Sequence, residues 1–562
     1  MTTLLKNGTL INVFTGELEK TNVLIEDDKV IGVGDYYTEA DKVEDVSGKF
    51  LCPGFIDSHI HIESTTLNPA ELAKVTLPRG TTSLVADPHE IANVAGVNGI
   101  KYILAASEGI PLNVYVMLPS CVPAAPMEEA GAILTAADLS PLYKHPRVLG
   151  LAEMMNYVGV LYGDEDIKNK IADARANRRT VDGHAPLLSG ESLDKYIAAG
   201  IQTDHECSNY DEAVEKIRKG QWVMVREGTV TKNLDGLIEL FERPYCDRCV
   251  LVTDDRHPAD LISEGHIDNI IRLAAKKGKS AITGIQMATI HAAQCFGLAF
   301  KGAIAPGYTA DILVLNDIDT VDVRDVYTAG KKVVENKKVG EITAPEVDEA
   351  LKSSVLHSLH LDPLKAEDFF IEPSEKRCRV IKTVKKQVLT DEWLTEIDFT
   401  KNNGVDVKRD ILKLAVIERH KKTGHRGVGF ISGIGLKEGA IASTVSHDSH
   451  NLIVIGTNDS DMALAANHLI EIGGGYVAVK DGRVLADMPL PIAGLMTFKS
   501  ASESAEENET LRSTVYSLGV PTDIAPLMTM SFVSLSVIPS IKMTTKGLVD
   551  VNTQKLLSLY ED

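Results

Sequence analysis

The chain alternates between two hydrophobic rhythms. Near the start, "TLLKNGTLINVF" and "TNVLIEDDKVIGVGD" show the two-residue alternation of short strands, with turns expected at Asn7-Gly8 and Asp27-Asp28. From residue 54 to about 280 the pattern changes. Short β-rich runs alternate there with helical stretches such as "DEDIKNKIADARANRR", "SNYDEAVEKIRKG" and "NLDGLIELFER". The runs are "FIDSH" (55–59), "TSLVAD" (82–87), "LNVYVML" (112–118), "VLGLAE" (148–153), "TVDGHA" (180–185), "IQTDHE" (201–206), "WVMVRE" (222–227) and "CVLVTDD" (249–255). Eight β/α repeats over roughly 230 residues match a (β/α)8 TIM barrel, although a doubly wound open sheet permits the same alternation.

After the repeats, "ADILVLNDIDTVDVRDVYTAGKKVV" returns to alternating strands, which should join the N-terminal ones in a small β-sandwich domain. The expected fold class is therefore α/β, with a TIM barrel over 53–305 and the β-domain built from 1–52 and 306–345. An acidic, helix-prone connector covers about 340 to 375. An additional C-terminal α/β domain is expected over 376–562. Its "IEIGGGYVAVKDGRV" lacks the lysine and hydroxyl residue of a phosphate loop, so Gly473 to Gly475 are expected to turn a helix into a strand.

Composition narrows the function classes. Of 562 residues, 44% are hydrophobic and 24% charged, as in an ordinary globular protein. The net charge of −21 repels phosphate backbones and anionic lipid, so nucleic acid and membrane surfaces are not the expected partners. A small neutral or cationic substrate is compatible. No run of 18 uncharged apolar residues appears, and "MTTLLKNGTLINVFTGE" has no signal-peptide hydrophobic region. Seven scattered cysteines do not form a disulfide pattern. A reduced, cytoplasmic setting is the expectation.

Candidate chemistry lies at the strand ends. "PGFIDSHIHIEST" puts His59 and His61 two apart, on one face of a strand. Asp87 and His89 follow the second run, Glu153 ends the fourth, His184 the fifth, His205 the sixth and Asp254 the eighth. Reactive groups of a barrel sit at these C-terminal ends. Taken singly, each has a bland alternative: His184 caps a strand, His205 lies on an exposed loop, Glu153 makes a structural ion pair, Asp254 caps a helix. Together, four imidazoles and two carboxylates are too many ligands for one four-coordinate ion and suit two ions sharing a bridging carboxylate. "PYCDRC" (244–249) resembles a deaminase zinc motif, but Tyr245 separates its proline and cysteine, and Cys246 and Cys249 precede a strand rather than follow one.

"PGFIDSHIH", "GHA", "TDHE", "TDD" and "MATIHAAQCFGLAFKGAIAPGYTADILVLND" resemble the amidohydrolase superfamily. More closely, "HIHIEST", "ADPHEIANVAG", "GLAEMMN", "DGHAP", "TDDRHP" and the C-terminal "SHDSHN" resemble its bacterial-type adenine deaminase family. The likeness spans essentially the whole chain. It implies hydrolytic deamination of adenine to hypoxanthine and ammonia by a metal-bound hydroxide. It implies two divalent ions, Mn(II) ahead of Fe(II) and Zn(II), and a homodimer or larger assembly. Carried over by residue, His59, His61 and Asp254 would hold one ion, His184 and His205 the other, and Glu153 would bridge. No lysine lies between Val148 and Gly163, so the carboxylated-lysine variant is disfavoured. Asp254 would move the proton, with Glu63, His89 and Glu90 as candidates for stabilising the adduct. Glu90 and the loop residues His447, Asp448 and His450 are the expected substrate contacts. A metal-dependent ring opener of dihydroorotase or hydantoinase type is the alternative.

Overall fold

A computed structural model describes residues 1–561 except 230, 386 and 401. The chain divides into two compact units: residues 1–88, 103–120 and 135–346 form the first, and 89–102, 121–134 and 347–562 form the second.

The first unit contains the barrel. Its strands are Phe55–Ile60 (β1), Thr81–Ala86 (β2), Asn113–Leu118 (β3), Val148–Met154 (β4), Thr180–Gly183 (β5), Thr203–Asp204 (β6), Trp222–Arg226 (β7) and Cys249–Val252 (β8). All eight expected runs are present. β1 to β5 pair in parallel in chain order, as do β6 to β8. The Gln202 N–H donates to the Val181 carbonyl at 2.9 Å and bridges β5 to β6. The Asp254 N–H donates to the His59 carbonyl at 3.0 Å and joins β8 back to β1. That last ladder closes the cylinder and excludes the open-sheet alternative. Inward side chains of alternate strand positions, among them Ile56, Val85, Met117, Leu149, Met224 and Val250, fill the interior. Gly183 permits a close approach of β5 and β6: a Cβ there would lie 2.1 Å from the Thr203 carbonyl oxygen.

The flanking strands of the first unit connect into one nine-stranded sheet. Thr2–Asn12 runs unbroken through Asn7-Gly8. The expected turn is instead a register shift between Leu5 and Gly8, with Asn7 at φ +64°. The turn at Asp27-Asp28 does separate two strands, Glu17–Glu26 and Lys29–Val33.

The second unit is built on an eight-stranded sheet whose members include Leu412–Ile417, Ala440–Ser443 and Leu452–Gly456. Along Leu412–Ile417, Leu414 and Val416 face one core with Leu511 and Val515 of helix Ala501–Ser517. Ala415 and Ile417 face the other, with Met462 and Leu469 of helix Asp459–Ile472. That helix ends at Gly473, whose φ of +82° only glycine adopts without strain, and Gly475 begins the next strand. Among the described residues no helix is long and apolar enough to cross a membrane.

Candidate functional site

The first unit brings six of the expected residues to one place. The buried His59 lies near the end of β1 and the buried His61 directly follows it, and their Nε2 atoms are 3.2 Å apart. Asp254 Oδ1 is 3.1 Å from His61 Nε2 and 3.7 Å from His59 Nε2. Glu153, at the end of β4, presents its two oxygens to two pairs of imidazoles. Its Oε1 is 3.3 Å from His61 and 3.8 Å from His59. Its Oε2 is 2.7 Å from His184 Nδ1 and 3.3 Å from His205 Nε2. The His59 and His205 rings stack with centroids 4.3 Å apart.

Hydrogen bonds behind the cluster orient the first pair of rings. The His59 Nδ1–H donates to Asp182 Oδ2 at 2.8 Å. Asp182 is itself fixed by the Gly183 N–H at 2.9 Å and by the Thr203 hydroxyl. The His61 Nδ1–H donates to the Asp87 carbonyl at 3.0 Å. With the protons on Nδ1, both Nε2 lone pairs converge on the carboxylates. Two lone pairs that close, facing carboxylate oxygens, repel one another unless a proton or a metal ion lies among them. The donor set of neutral imidazole and carboxylate suits a divalent ion, and groups His59–His61–Asp254 and Glu153–His184–His205 each have the compactness to hold one.

Two residues at the site were not singled out from the sequence. Arg226, the last residue of β7, donates from Nη1 to Asp254 Oδ2 at 2.7 Å and to Glu206 Oε1 at 2.5 Å. Burial opposes ionisation of Asp254, but the Arg226 charge and then His61 hold its carboxyl well below the usual range. Burial likewise opposes ionisation of Glu206, and Arg226 again holds it low. An arginine closing the apolar run "WVMVR" was the available signal. Glu63 lies buried on the turn Glu63–Thr65 that follows β1.

The remaining expected residues belong to the second unit. His89 and Glu90 open the helix His89–Ala95, and His447, Asp448 and His450 lie on the loop between Ala440–Ser443 and Leu452–Gly456. All five are buried. Glu90 accepts hydrogen bonds from His447 Nδ1 at one oxygen and from His450 Nε2 at the other. His89 Nε2 is 3.6 Å from Glu90 Oε1 and 3.9 Å from Asp448 Oδ1. The Ser446 N–H donates to His450 Nδ1 at 3.1 Å, so the ring proton sits on Nε2. Burial brings His450 down to about 4, which keeps it neutral. Glu128, also unremarked in the sequence, accepts from the Ser536 N–H and hydroxyl at 2.8 Å each. Burial first, then the Asp448 charge, pushes it up to about 8.

Cys246 and Cys249 are buried and unpaired at the N-terminal end of β8.

Residues 50–333 match the amidohydrolase family, and residues 387–555 match the adenine deaminase C-terminal domain. "Adenine deaminase 2" of Carboxydothermus hydrogenoformans is 46% identical over 98% of this chain and 95% of its own length. Adenine deaminases of Kosmotoga olearia and Desulfatibacillum aliphaticivorans are 44% and 42% identical, each over 99% of this chain and 96% and 97% of their own. The chain belongs to the amidohydrolase superfamily, in its adenine deaminase family. Membership brings the use of divalent metal, for which the barrel offers the ligand clusters just described.

Proposed function

We propose that the protein hydrolyses adenine to hypoxanthine and ammonia at the end of the barrel that carries His59, His61, Glu153, His184, His205 and Asp254. The observation that carries the reading is Glu153, whose two oxygens each meet a separate pair of imidazoles. That is the arrangement two ions with a shared carboxylate require. In this reading His59, His61 and Asp254 would hold one ion and His184 and His205 the other, with Glu153 shared between them. Manganese is the proposed metal, with ferrous iron second and zinc third. Bound divalent ions supply a water nucleophile at neutral pH.

The protein's own groups do the rest. Arg226 keeps Asp254 ionised, so the carboxylate is ready to take a proton from the attacking water and return it to the departing amine. Addition at C6 breaks the ring's conjugation. Loss of ammonia restores it and leaves the oxygen at that carbon. Glu63 is the proposed donor to the purine ring during addition. Ring opening of a cyclic amide is not favoured, because the relatives spanning the full chain bear the name adenine deaminase.

A cytoplasmic homodimer completes the proposal. The seven buried cysteines, none in a disulfide, support the reducing compartment, and the dimer rests on the family resemblance alone. Light scattering of the purified protein tests the dimer. The activity is tested by ultraviolet absorbance of adenine with ammonia release, on protein loaded with Mn(II) and on a His59→Ala variant. Turnover that is lost in the variant agrees with the proposal. A folded, metal-loaded protein that leaves adenine untouched contradicts it.

A further inference from the structure

A cleft of about 490 Å³ opens at the N-terminal ends of β5, β6 and β7, the ends opposite those bearing His184, His205 and Arg226. Thr180 begins β5, Gln202 precedes β6 and Gly220 lies two residues before β7, and all three line it. So do Arg175, Arg178 and Arg179, from the end of helix Glu165–Ala176 and the turn after it. No aspartate or glutamate lines this cleft among the described residues.

Three guanidinium groups around one cleft stand out in a chain of net charge −21. Elsewhere, arginines such as Arg226 and Arg256 pair with carboxylates. Arg175, Arg178 and Arg179 form no ion pair among the described residues. Arg175 makes only a long bond, 3.4 Å from Nη1 to the Ala199 carbonyl. The Arg179 Nε is buried with no hydrogen-bond partner among the described residues. Gln202 uses its carboxamide oxygen to accept the Val181 N–H at 3.2 Å, which leaves its amide hydrogens as further donors. The lining is rich in donors and positive charge and lacks a counter-ion.

Guanidinium forks match the oxygen pairs of a phosphate group, and several together suit a dianion. The volume exceeds what a lone phosphate fills and lies in the range of small-molecule sites. We propose that this cleft binds the phosphate group of a small organic phosphate ester, at a site separate from the reaction proposed above. Uncharged adenine has no anionic group for three arginines to pair with, so the two sites would take different ligands.

The test is calorimetric titration of the metal-loaded protein with ribose 5-phosphate, ribose and inorganic phosphate, repeated on an Arg175→Gln/Arg178→Gln variant. Both arginines are exposed, so the replacement leaves the core intact. The expected result is binding of ribose 5-phosphate, none of ribose, and weaker binding of inorganic phosphate. The variant should bind the ester at least about tenfold more weakly, a change of about 1.4 kcal/mol. Its adenine turnover without the ester should be unchanged. Equal affinity in variant and parent would place the anion elsewhere, at the metal centre for instance, and overturn the proposal. So would the absence of binding. Inorganic phosphate binding as tightly as the ester would overturn the ester assignment.

Discussion

Two buried groups of histidines and carboxylates, one in each compact unit, use the same residue types to opposite ends. In the barrel, His59 and His61 give their Nδ1 protons to oxygen acceptors, Asp182 and the Asp87 carbonyl. Their Nε2 lone pairs are left facing Glu153 and Asp254. In the second unit, a backbone N–H donates into His450 Nδ1, which places the proton on Nε2, and Glu90 accepts it. One group is arranged to share a cation. In the other, the far nitrogen of His450 is already committed to a proton that Glu90 accepts. What separates His59 and His61 from His450 is the atom behind each ring: an acceptor there frees the far nitrogen for a metal, and a donor commits it to a proton. Proximity of histidine and glutamate alone does not distinguish the two cases.

The largest effects are expected from replacing side chains of the barrel group. His59→Ala should reduce adenine turnover to background and lower the metal content. Asp254→Asn should keep the fold and cost roughly 10²–10⁴-fold in turnover, read from steady-state rates at saturating metal. Arg226→Met leaves Asp254 and Glu206 buried without their cation. It should destabilise the first unit by about 3–5 kcal/mol, seen as a lower denaturant midpoint.

The atoms behind the rings give a finer test. Asp182→Ala removes the acceptor behind His59 without touching the proposed ions. Metal affinity or activity should fall about 10–100-fold, measured by competition with a chelator. In the second unit, Glu90→Gln should cost only about 1–3 kcal/mol of stability, because it disturbs hydrogen bonds rather than ion binding. Metal content should stay at the parent value.

A pH-dependent effect concerns Glu128. The folded chain holds its proton up to about pH 8, whereas the ordinary glutamate value is 4.5. Folding therefore takes up a proton between those values, and stability falls as pH rises through that window. The contribution is fully present below the lower value and gone above the upper one. Asp448 and Glu90 are the charges that face Glu128, and Ser536 is its hydrogen-bond donor. Glu128→Gln should flatten the decline, which thermal midpoints measured between about pH 5 and 8 would show.

Much of the fold was legible in the sequence. Eight short β-rich runs separated by helical stretches marked the barrel strands, because a buried parallel strand reads as a continuous run of Val, Leu and Ile. Polar residues ending those runs marked His59, His61, Glu153, His184, His205 and Asp254. Closure of the barrel was not legible: it rests on pairing of residue 254 with residue 59, and the same alternation suits an open sheet. Arg226 and Glu206 were hidden because an arginine at the end of an apolar run reads as a strand terminus. Only the fold brings Asp254 to it across 28 residues. The inclusion of 89–102 and 121–134 in the second unit is another non-local outcome that no local pattern announces. At Asn7-Gly8 a turn signal produced a bulge, because the strand pairing on either side continued past it.

The most direct measurement is the number of metal equivalents bound per chain, by elemental analysis, in the Mn(II)-loaded parent and in His205→Ala and His450→Gln variants. Two are expected in the parent, fewer in His205→Ala, and an unchanged two in His450→Gln. Loss of an equivalent from His450→Gln, or none from His205→Ala, would contradict it.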